Sequence, residues 1–279
     1  MLIEMENVEY RYKRNSEGRP ALEQINVKIG RGEFVAVIGR NGSGKSTFAK
    51  LLNAILIPTK GNAYIKGIKT ADEKRLWEIR KTVGVVFQNP DNQIIASSVE
   101  EDVAFGPENL GLSREEILKR VEKALKDVEM QEYRKFPIQN LSQGEKQKVA
   151  IAGILAMKPE CIVLDEATSM LDPLSRNELL SIIERLNKEE GITVINITHH
   201  IEETVKADRI FLFNEGKIQK DQNPEYIFSK VDDMKKAGLD VPEITQLFYE
   251  LSREGYMEHG KGILTVADGI NAVRKILNS

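Results

Sequence analysis

One cysteine, Cys161, stands in 279 residues, so no disulfide can close within the chain, and a reducing compartment is the expected setting. An excess of charge of one sign is also missing. Forty Lys and Arg against 43 Asp and Glu leave a net charge of −3, without the basic surplus of a dedicated nucleic-acid binder, so no nucleic-acid partner is expected. No apolar run approaches the ~20 residues that cross a bilayer, and the opening MLIEMENVEYRYK lacks a signal peptide's uninterrupted apolar stretch. A cytoplasmic protein is expected. There is no low-complexity tract and no internal repeat of roughly 20–50 residues. What is present is 41% hydrophobic and 30% charged, which is the balance of a folded globular chain. At ~150 residues per domain, the length allows about two domains, or one large domain with an appendage.

Residues 2–12 and 22–30 alternate apolar and polar positions around a charged, Gly-containing segment, Lys13 to Pro20, and read as an antiparallel hairpin. Phe34-Val35-Ala36-Val37-Ile38 is continuously apolar and ends at Gly39, as a strand buried on both faces of a mostly parallel sheet would. Similar runs recur at Val83–Phe87, Cys161–Leu164, Thr193–Ile197 and Ile210–Phe213. Helical stretches at Arg114–Val128, Lys146–Met157 and Ser175–Asn187 lie between them, giving an α/β domain over residues 1–220. From Pro224 the chain changes character. Amphipathic stretches at Ile244–Arg253 and Ala267–Leu277 are too few for a large core, so the C-terminal extension, 221–279, is expected to pack on the main domain or on a partner.

Gly39-Arg40-Asn41-Gly42-Ser43-Gly44-Lys45-Ser46-Thr47 fits G-x-x-x-x-G-K-[ST] directly after a predicted strand and before a helical run, Phe48–Ile55. Glycines let successive backbone N–H groups turn inward, and the helix N-terminus adds partial positive charge, so the loop is suited to phosphates. Lys45 is expected at the β- and γ-phosphates and Ser46 on Mg²⁺. Cys161-Ile162-Val163-Leu164-Asp165-Glu166 delivers two acids at a strand's carboxyl end. Asp165 is expected to hold Mg²⁺ directly or through water, and Glu166 to orient or deprotonate an attacking water. A strand ending in Asp-Glu is common, but paired with the phosphate loop it points to hydrolysis of a nucleoside triphosphate. Cys161 is read as a buried small hydrophobe with no chemistry.

Between these motifs lies Leu141-Ser142-Gln143-Gly144-Glu145-Lys146-Gln147, and here residues 1–220 resemble an ATP-binding cassette (ABC) ATPase. The resemblance implies a P-loop NTPase cassette: a mostly parallel core sheet, an antiparallel N-terminal β-subdomain, a helical signature subdomain over about 89–157, and ATP with Mg²⁺ as ligands. It also implies that two cassettes sandwich the nucleotides, with Ser142 and Gly144 acting on the γ-phosphate held by the other cassette. The common form of this segment is L-S-G-G-Q, from which Gln143 and Glu145 depart. S-x-x-E, Ser142 to Glu145, is also a capping box that starts a helix, although its carboxylate comes close to where an anion would sit.

Four further positions match the family one by one. Gln88 resembles the Q-loop glutamine, on Mg²⁺ or water. Ser169-Met170-Leu171-Asp172 resembles the D-loop at the interface between cassettes. His199 matches the switch histidine on the γ-phosphate. Tyr12 stands where the family stacks an aromatic ring on adenine, and equally suits an ordinary strand aromatic. Adjacent side chains on an extended chain point to opposite faces, so His199 and His200 are not expected to converge on one ion.

The stretch from Asn89 to Leu112 and the tail with Ala237-Gly238-Leu239-Asp240-Val241-Pro242 resemble the ATP-binding subunits of energy-coupling factor importers, including cobalt and nickel uptake systems. That implies a peripheral subunit on the cytoplasmic face of the cell membrane. Its expected partners are a second cassette, identical or paralogous, a membrane-embedded energy-coupling protein and a substrate-capturing membrane protein. Ile94, Ile95 and Phe105 are expected to supply the docking surface. Glu100, Glu101 and Asp102 either meet basic groups of the membrane partner or begin a solvated helix. The alternatives are a soluble ABC-type ATPase free of any transporter and a non-catalytic nucleotide-binding regulator. The absence of a second cassette and of sustained heptads weighs against the first.

Overall fold

The computed structural model describes residues 1–13, 18–256 and 262–277, with residues 276 and 277 by backbone alone. The middle of the expected hairpin loop at 13–20 lies outside them. In chain order, β1 (Ile3–Tyr10), β2 (Leu22–Ile29), β3 (Phe34–Gly39) and α1 (Lys45–Leu52) lead to β4 (Lys60–Ile65), β5 (Ile68–Lys69), α2 (Leu76–Thr82) and β6 (Val83–Phe87). Three helices follow: α3 (Val99–Asn109), α4 (Arg114–Asp127) and α5 (Gln143–Ala156). Then come β7 (Cys161–Asp165), α6 (Pro173–Glu190), β8 (Thr193–Ile197), β9 (Arg209–Asn214) and β10 (Lys217–Gln222). The described C-terminal helices are α7 (Pro224–Phe228), α8 (Val231–Lys236), α9 (Glu243–Arg253) and α10 (Val266–Leu277).

Two sheets form. One is antiparallel, in the order β2-β1-β4-β5, and the other runs β10-β9-β3-β8-β7-β6, parallel except for the β9–β10 edge. The alternation of side chains along β3 explains why its whole run is apolar. Phe34, Ala36 and Ile38 enter a core shared with α3 to α6, while Val35 and Val37 enter a second core shared with α1 and the antiparallel sheet. Phe48 of α1 is fully buried in that second core between Phe211 and Phe213. Ile227, Phe228, Val231, Met234 and Val241 join the first core, so the start of the C-terminal extension packs on the main body.

Register positions the site. Phe87 pairs with Asp165, Asp165 with Ile197, Ile197 with Val37, and Gly39 with Phe213. The carboxyl ends of β6, β7 and β8 therefore finish level, with β3 running two residues further, and Gln88, Glu166, Thr198 and the loop from Gly39 share one edge, where parallel α/β sheets take ligands.

Helix α5 begins at Gln143, three residues before the expected Lys146, because Ser142 is its N-cap. The acids of α3 are spent locally. Glu101 closes a capping box with Ser98, Asp102 Oδ1 accepts from the N–H groups of Ile95 and Ala96, and Glu100 pairs with Arg134.

Candidate active site

The loop from Gly39 to Thr47 has a shape that only glycine permits at two points. Gly44 has φ 107° as the N-cap of α1, and a Cβ there would lie 2.6 Å from the Ala21 carbonyl oxygen. At Gly39, φ 157°, a Cβ would lie 2.4 Å from the Phe213 carbonyl oxygen and 2.8 Å from Ser43 Oγ. The first turn of α1 begins at Lys45, so the N–H groups of Lys45, Ser46 and Thr47 have no intrahelical acceptor and carry the positive end of the helix dipole. Ser43 Oγ is buried with no protein partner among the described residues. Such a cradle, with free donors and one orphaned hydroxyl, suits a phosphate chain.

Lys45 is 4% exposed, and its Nζ donates to the carbonyls of Gly39 (2.7 Å) and Arg40 (3.2 Å). Burial pushes its pKa down, and the nearby Glu166 and Asp165 partly offset this. Ser46 Oγ donates to Asp165 Oδ1 at 2.9 Å, and burial, with Glu166 alongside, raises the pKa of Asp165. Hydroxyl and carboxylate oxygens side by side suit a hard divalent cation such as Mg²⁺, with Gln88 leaving β6 one step past the residue paired with Asp165.

Glu166 has φ 54°, in the left-handed region that residues with a Cβ rarely enter. Its N–H donates to the Ile197 carbonyl at 2.9 Å, while its own carbonyl accepts from Ser169 N (3.1 Å) and Ser169 Oγ (2.8 Å). The carboxylate so aimed lies 3.9 Å from Lys45 Nζ and 3.8 Å from His199 Nδ1. Tyr12, 41% exposed, donates or accepts at Thr47 Oγ1 over 3.1 Å and packs edge-on against Tyr10. The ring thus stands at the loop with a face open to solvent. Asn41 and Gly42 form the exposed outer bend of the loop, and His199 with Gly39, Arg40 and Asn41 lines an open cavity beside it.

His199 and His200 do not diverge as an extended chain would make them: their ring centroids are 4.1 Å apart, because the chain bends at the end of β8 into a 3₁₀ turn, Ile201–Thr204. Among the described residues no three His, Cys, Asp or Glu side chains gather as a metal cluster.

Ser142 and Gly144 keep different company, on α5. Ser142 N and Oγ both donate to Glu145 Oε2 at 2.8 Å, and Ser142 Oγ accepts from Glu145 N at 3.3 Å. Burial pushes the Glu145 carboxyl up, but the Ser142 and Tyr133 donors hold it below its ordinary range on balance. Gln143 and Lys146 reach Asp91, three residues beyond Gln88, at 3.3 and 2.8 Å. The start of α5 is thereby tied to the segment after β6. Gly144 lies against Ser175 at the start of α6.

Sequence reasoning missed a buried group behind this site. Glu203, 6% exposed, accepts from Thr168 Oγ1 (2.7 Å) and Asn196 Nδ2 (3.2 Å). Its signal was an acid in a segment that ends buried, which no local pattern distinguishes from a solvated one.

A family model described as ABC transporter matches residues 22–169. The energy-coupling factor transporter ATP-binding protein EcfA1 of Caldanaerobacter subterraneus subsp. tengcongensis is 55% identical over 98% of both chains. The chain belongs to the ATP-binding proteins of energy-coupling factor transporters, within the ABC family. EcfA1 of Clostridium novyi is 52% identical over 98% of this cassette and 97% of its own length. Among solved structures, cbiO1 from Clostridium perfringens, part of the ABC transporter complex cbiONQ, matches with a TM-score of 0.77 and 38% identity, covering 89% of this chain and 98% of that one. The ATP-binding cassette MJ0796, seen as a dimer in a post-hydrolysis state with ADP and Pi, matches with a TM-score of 0.72 and 34% identity over 79% and 98% of the two chains.

Proposed function

We propose that this cassette is the ATP-hydrolysing motor subunit of an energy-coupling factor importer, driving uptake of a vitamin or transition-metal ion through membrane partners. The observation that carries the reading is the meeting of Lys45, Ser46, Asp165, Glu166 and His199 at one edge of the parallel sheet. Residues 1–220 form the ATPase domain, with its signature helices in about 89–157, and 221–279 form an extension that serves dimerisation.

The loop Gly39, Asn41, Gly42, Ser43, Gly44, Lys45, Ser46 and Thr47 wraps the phosphates, and Tyr12 stacks on the base. Ser46, Asp165 and Gln88 hold Mg²⁺, which screens phosphate charge when bound. Glu166 orients or deprotonates the attacking water, and His199 contacts the γ-phosphate. Ser142 and Gly144 complete the site of a second cassette, identical or paralogous. Closure of the pair moves the docked membrane proteins because the ATP-bound state favours the closed arrangement.

Docking on the membrane subunits uses the exposed apolar side chains Ile95 and Phe105, 60% and 48% exposed, while Ile94 is partly buried against the first core. The place proposed for the cassette is peripheral, on the cytoplasmic face of the membrane; no helix among the described residues is long and apolar enough to cross one. The test is steady-state ATPase activity of the complex purified from membranes. Turnover that vanishes in Glu166→Gln supports the assignment, and turnover that persists contradicts it.

A further inference from the structure

Behind the hydrolytic edge, Glu203 keeps a carboxylate whose side chain is only 2% exposed. A buried charge is retained only with hydrogen bonds and a counter-charge. Glu203 draws these from three elements: Thr168 in the turn after β7, Asn196 on β8, and Arg176 in α6, whose Nε lies 3.9 Å from Glu203 Oε1. The same guanidinium faces two loops. Its Nη2 donates to the Leu171 carbonyl at 3.2 Å, inside the segment Ser169–Asp172, and its Nη1 lies 3.4 Å from His200 Nδ1. Arginine only donates, so His200 Nδ1 is the acceptor of a neutral ring. Burial and Arg176 both favour that neutral form, as does His199, against Glu203 and Glu202.

We propose that Arg176 and Glu203 are positioning residues of the hydrolytic site, a relay that ties the Ser169–Asp172 segment to His199 and Glu166, so that arrival of the second cassette readies the site. The inference rests on the proposed hydrolysis at a cassette interface. The line is continuous. Leu171 is held by Arg176, Arg176 bears on His200, the His200 ring lies 4.1 Å from that of His199, and His199 Nδ1 lies 3.8 Å from Glu166 Oε2. The chain around Glu166 is already tense at φ 54°, so small shifts in its supports re-aim the carboxylate.

The relay also has room to move. A cavity of about 520 Å³ lies along it, lined by Pro173, Arg176, Leu180, His200, Glu203 and Lys206. Arg176 Nε and His200 Nε2 are buried without hydrogen-bond partners among the described residues. Unmade bonds at the centre of an otherwise satisfied network favour a second arrangement in which they are made. Met170 within the segment, 49% exposed, and Leu174 two residues past it, 70% exposed, offer apolar surface on which contact with a second cassette would press.

The experiment compares wild type, Arg176→Met, Arg176→Lys and His200→Leu in the complete membrane complex. Three quantities are measured: kcat, the Kd for a fluorescent ATP analogue, and the melting temperature. Misplacing a catalytic group by about 1 Å costs on the order of a hundredfold in rate, so a loss of roughly ten- to a hundredfold in kcat is expected for Arg176→Met and His200→Leu. Kd stays at the wild-type value in both, since neither residue touches the phosphate loop. Melting temperature stays at the wild-type value in His200→Leu and falls in Arg176→Met, which leaves Glu203 without its counter-charge. Arg176→Lys keeps the charge but cannot reach Leu171 and His200 together, so it restores stability without restoring kcat.

Wild-type kcat in both Arg176→Met and His200→Leu overturns the relay. So does a parallel fall of kcat, affinity and melting temperature, which would mark a purely structural pair. Glu166→Gln in the same preparation tests the hydrolytic reading separately. A wild-type complex that fails to hydrolyse ATP refutes that reading and the relay with it, whereas hydrolysis with unaffected relay variants refutes the relay alone.

Discussion

Ser46 Oγ and Asp165 Oδ1 are 2.9 Å apart, and this one hydrogen bond joins the first turn of α1 to the end of β7 across 119 positions of sequence. It places a hydroxyl and a carboxylate where a cation would bridge them to phosphate. It also leaves a carboxylate 7% exposed beside a second acid, an arrangement that costs stability in the absence of ligand.

Asp165→Asn keeps an acceptor for Ser46 and removes the buried charge. The nucleotide-free protein is expected to gain about 1 kcal/mol, which is roughly 2–4 °C in melting temperature at this size. Mg²⁺-dependent hydrolysis is expected to be lost. Calorimetry with and without MgATP checks both halves, and a destabilised apo variant would contradict the strain assigned to Asp165.

Glu145 occupies both donors of Ser142, the side chain expected to serve the other cassette's γ-phosphate. Glu145→Gln retains a capping box and removes a negative charge from the helix N-terminus. At about 0.3–1 kcal/mol for such a charge, turnover is expected to rise roughly two- to fivefold. Steady-state ATPase rates measure it, and an unchanged or lower rate would show that the carboxylate does not oppose the phosphate.

His200 has its pKa pushed below the ordinary 6.5 by burial, then by Arg176 and His199. The unfolded chain therefore takes up a proton first as pH falls. The folded state keeps its full contribution above 6.5 and loses it as pH descends toward the lowered folded value. Denaturant midpoints of wild type should fall more steeply below pH 6.5 than those of His200→Gln. Parallel slopes would remove His200 as the cause.

Ile95 and Phe105 expose apolar surface at and before α3, and Leu247 and Ile270 on the extension. Ile95→Lys with Phe105→Glu should release the cassette from its membrane partners while leaving its ATP affinity intact. Leu247→Asp with Ile270→Asp should weaken pairing of cassettes. Co-purification and light scattering report these separately, and a complex that survives the first pair of changes places the docking surface elsewhere.

The phosphate loop and the Asp165–Glu166 pair were legible because each is a local pattern on a continuous apolar strand, and the strand ends then meet by register alone. Less could be read where structure depends on distant packing. β4 and β5 escape such a reading: Gly61 breaks the alternation of β4, whose pairing with β1 is long-range, and β5 is only two residues long, paired to β4 across the turn at Lys66 and Gly67. β10, KIQKDQ, is a half-exposed edge strand with little apolar content. The bend that stacks His199 on His200 follows from the 3₁₀ turn after β8, which the extended-chain rule does not anticipate. The Thr168, Arg176 and Glu203 group is spread over 35 residues and has no motif of its own.

The most direct test of the account is titration of MgATP into wild type and Lys45→Ala. Lys45 is the buried cation of a loop whose other donors are backbone N–H groups and hydroxyls, so saturable binding is predicted for wild type and none measurable for Lys45→Ala. Equal affinity of the two proteins would contradict it.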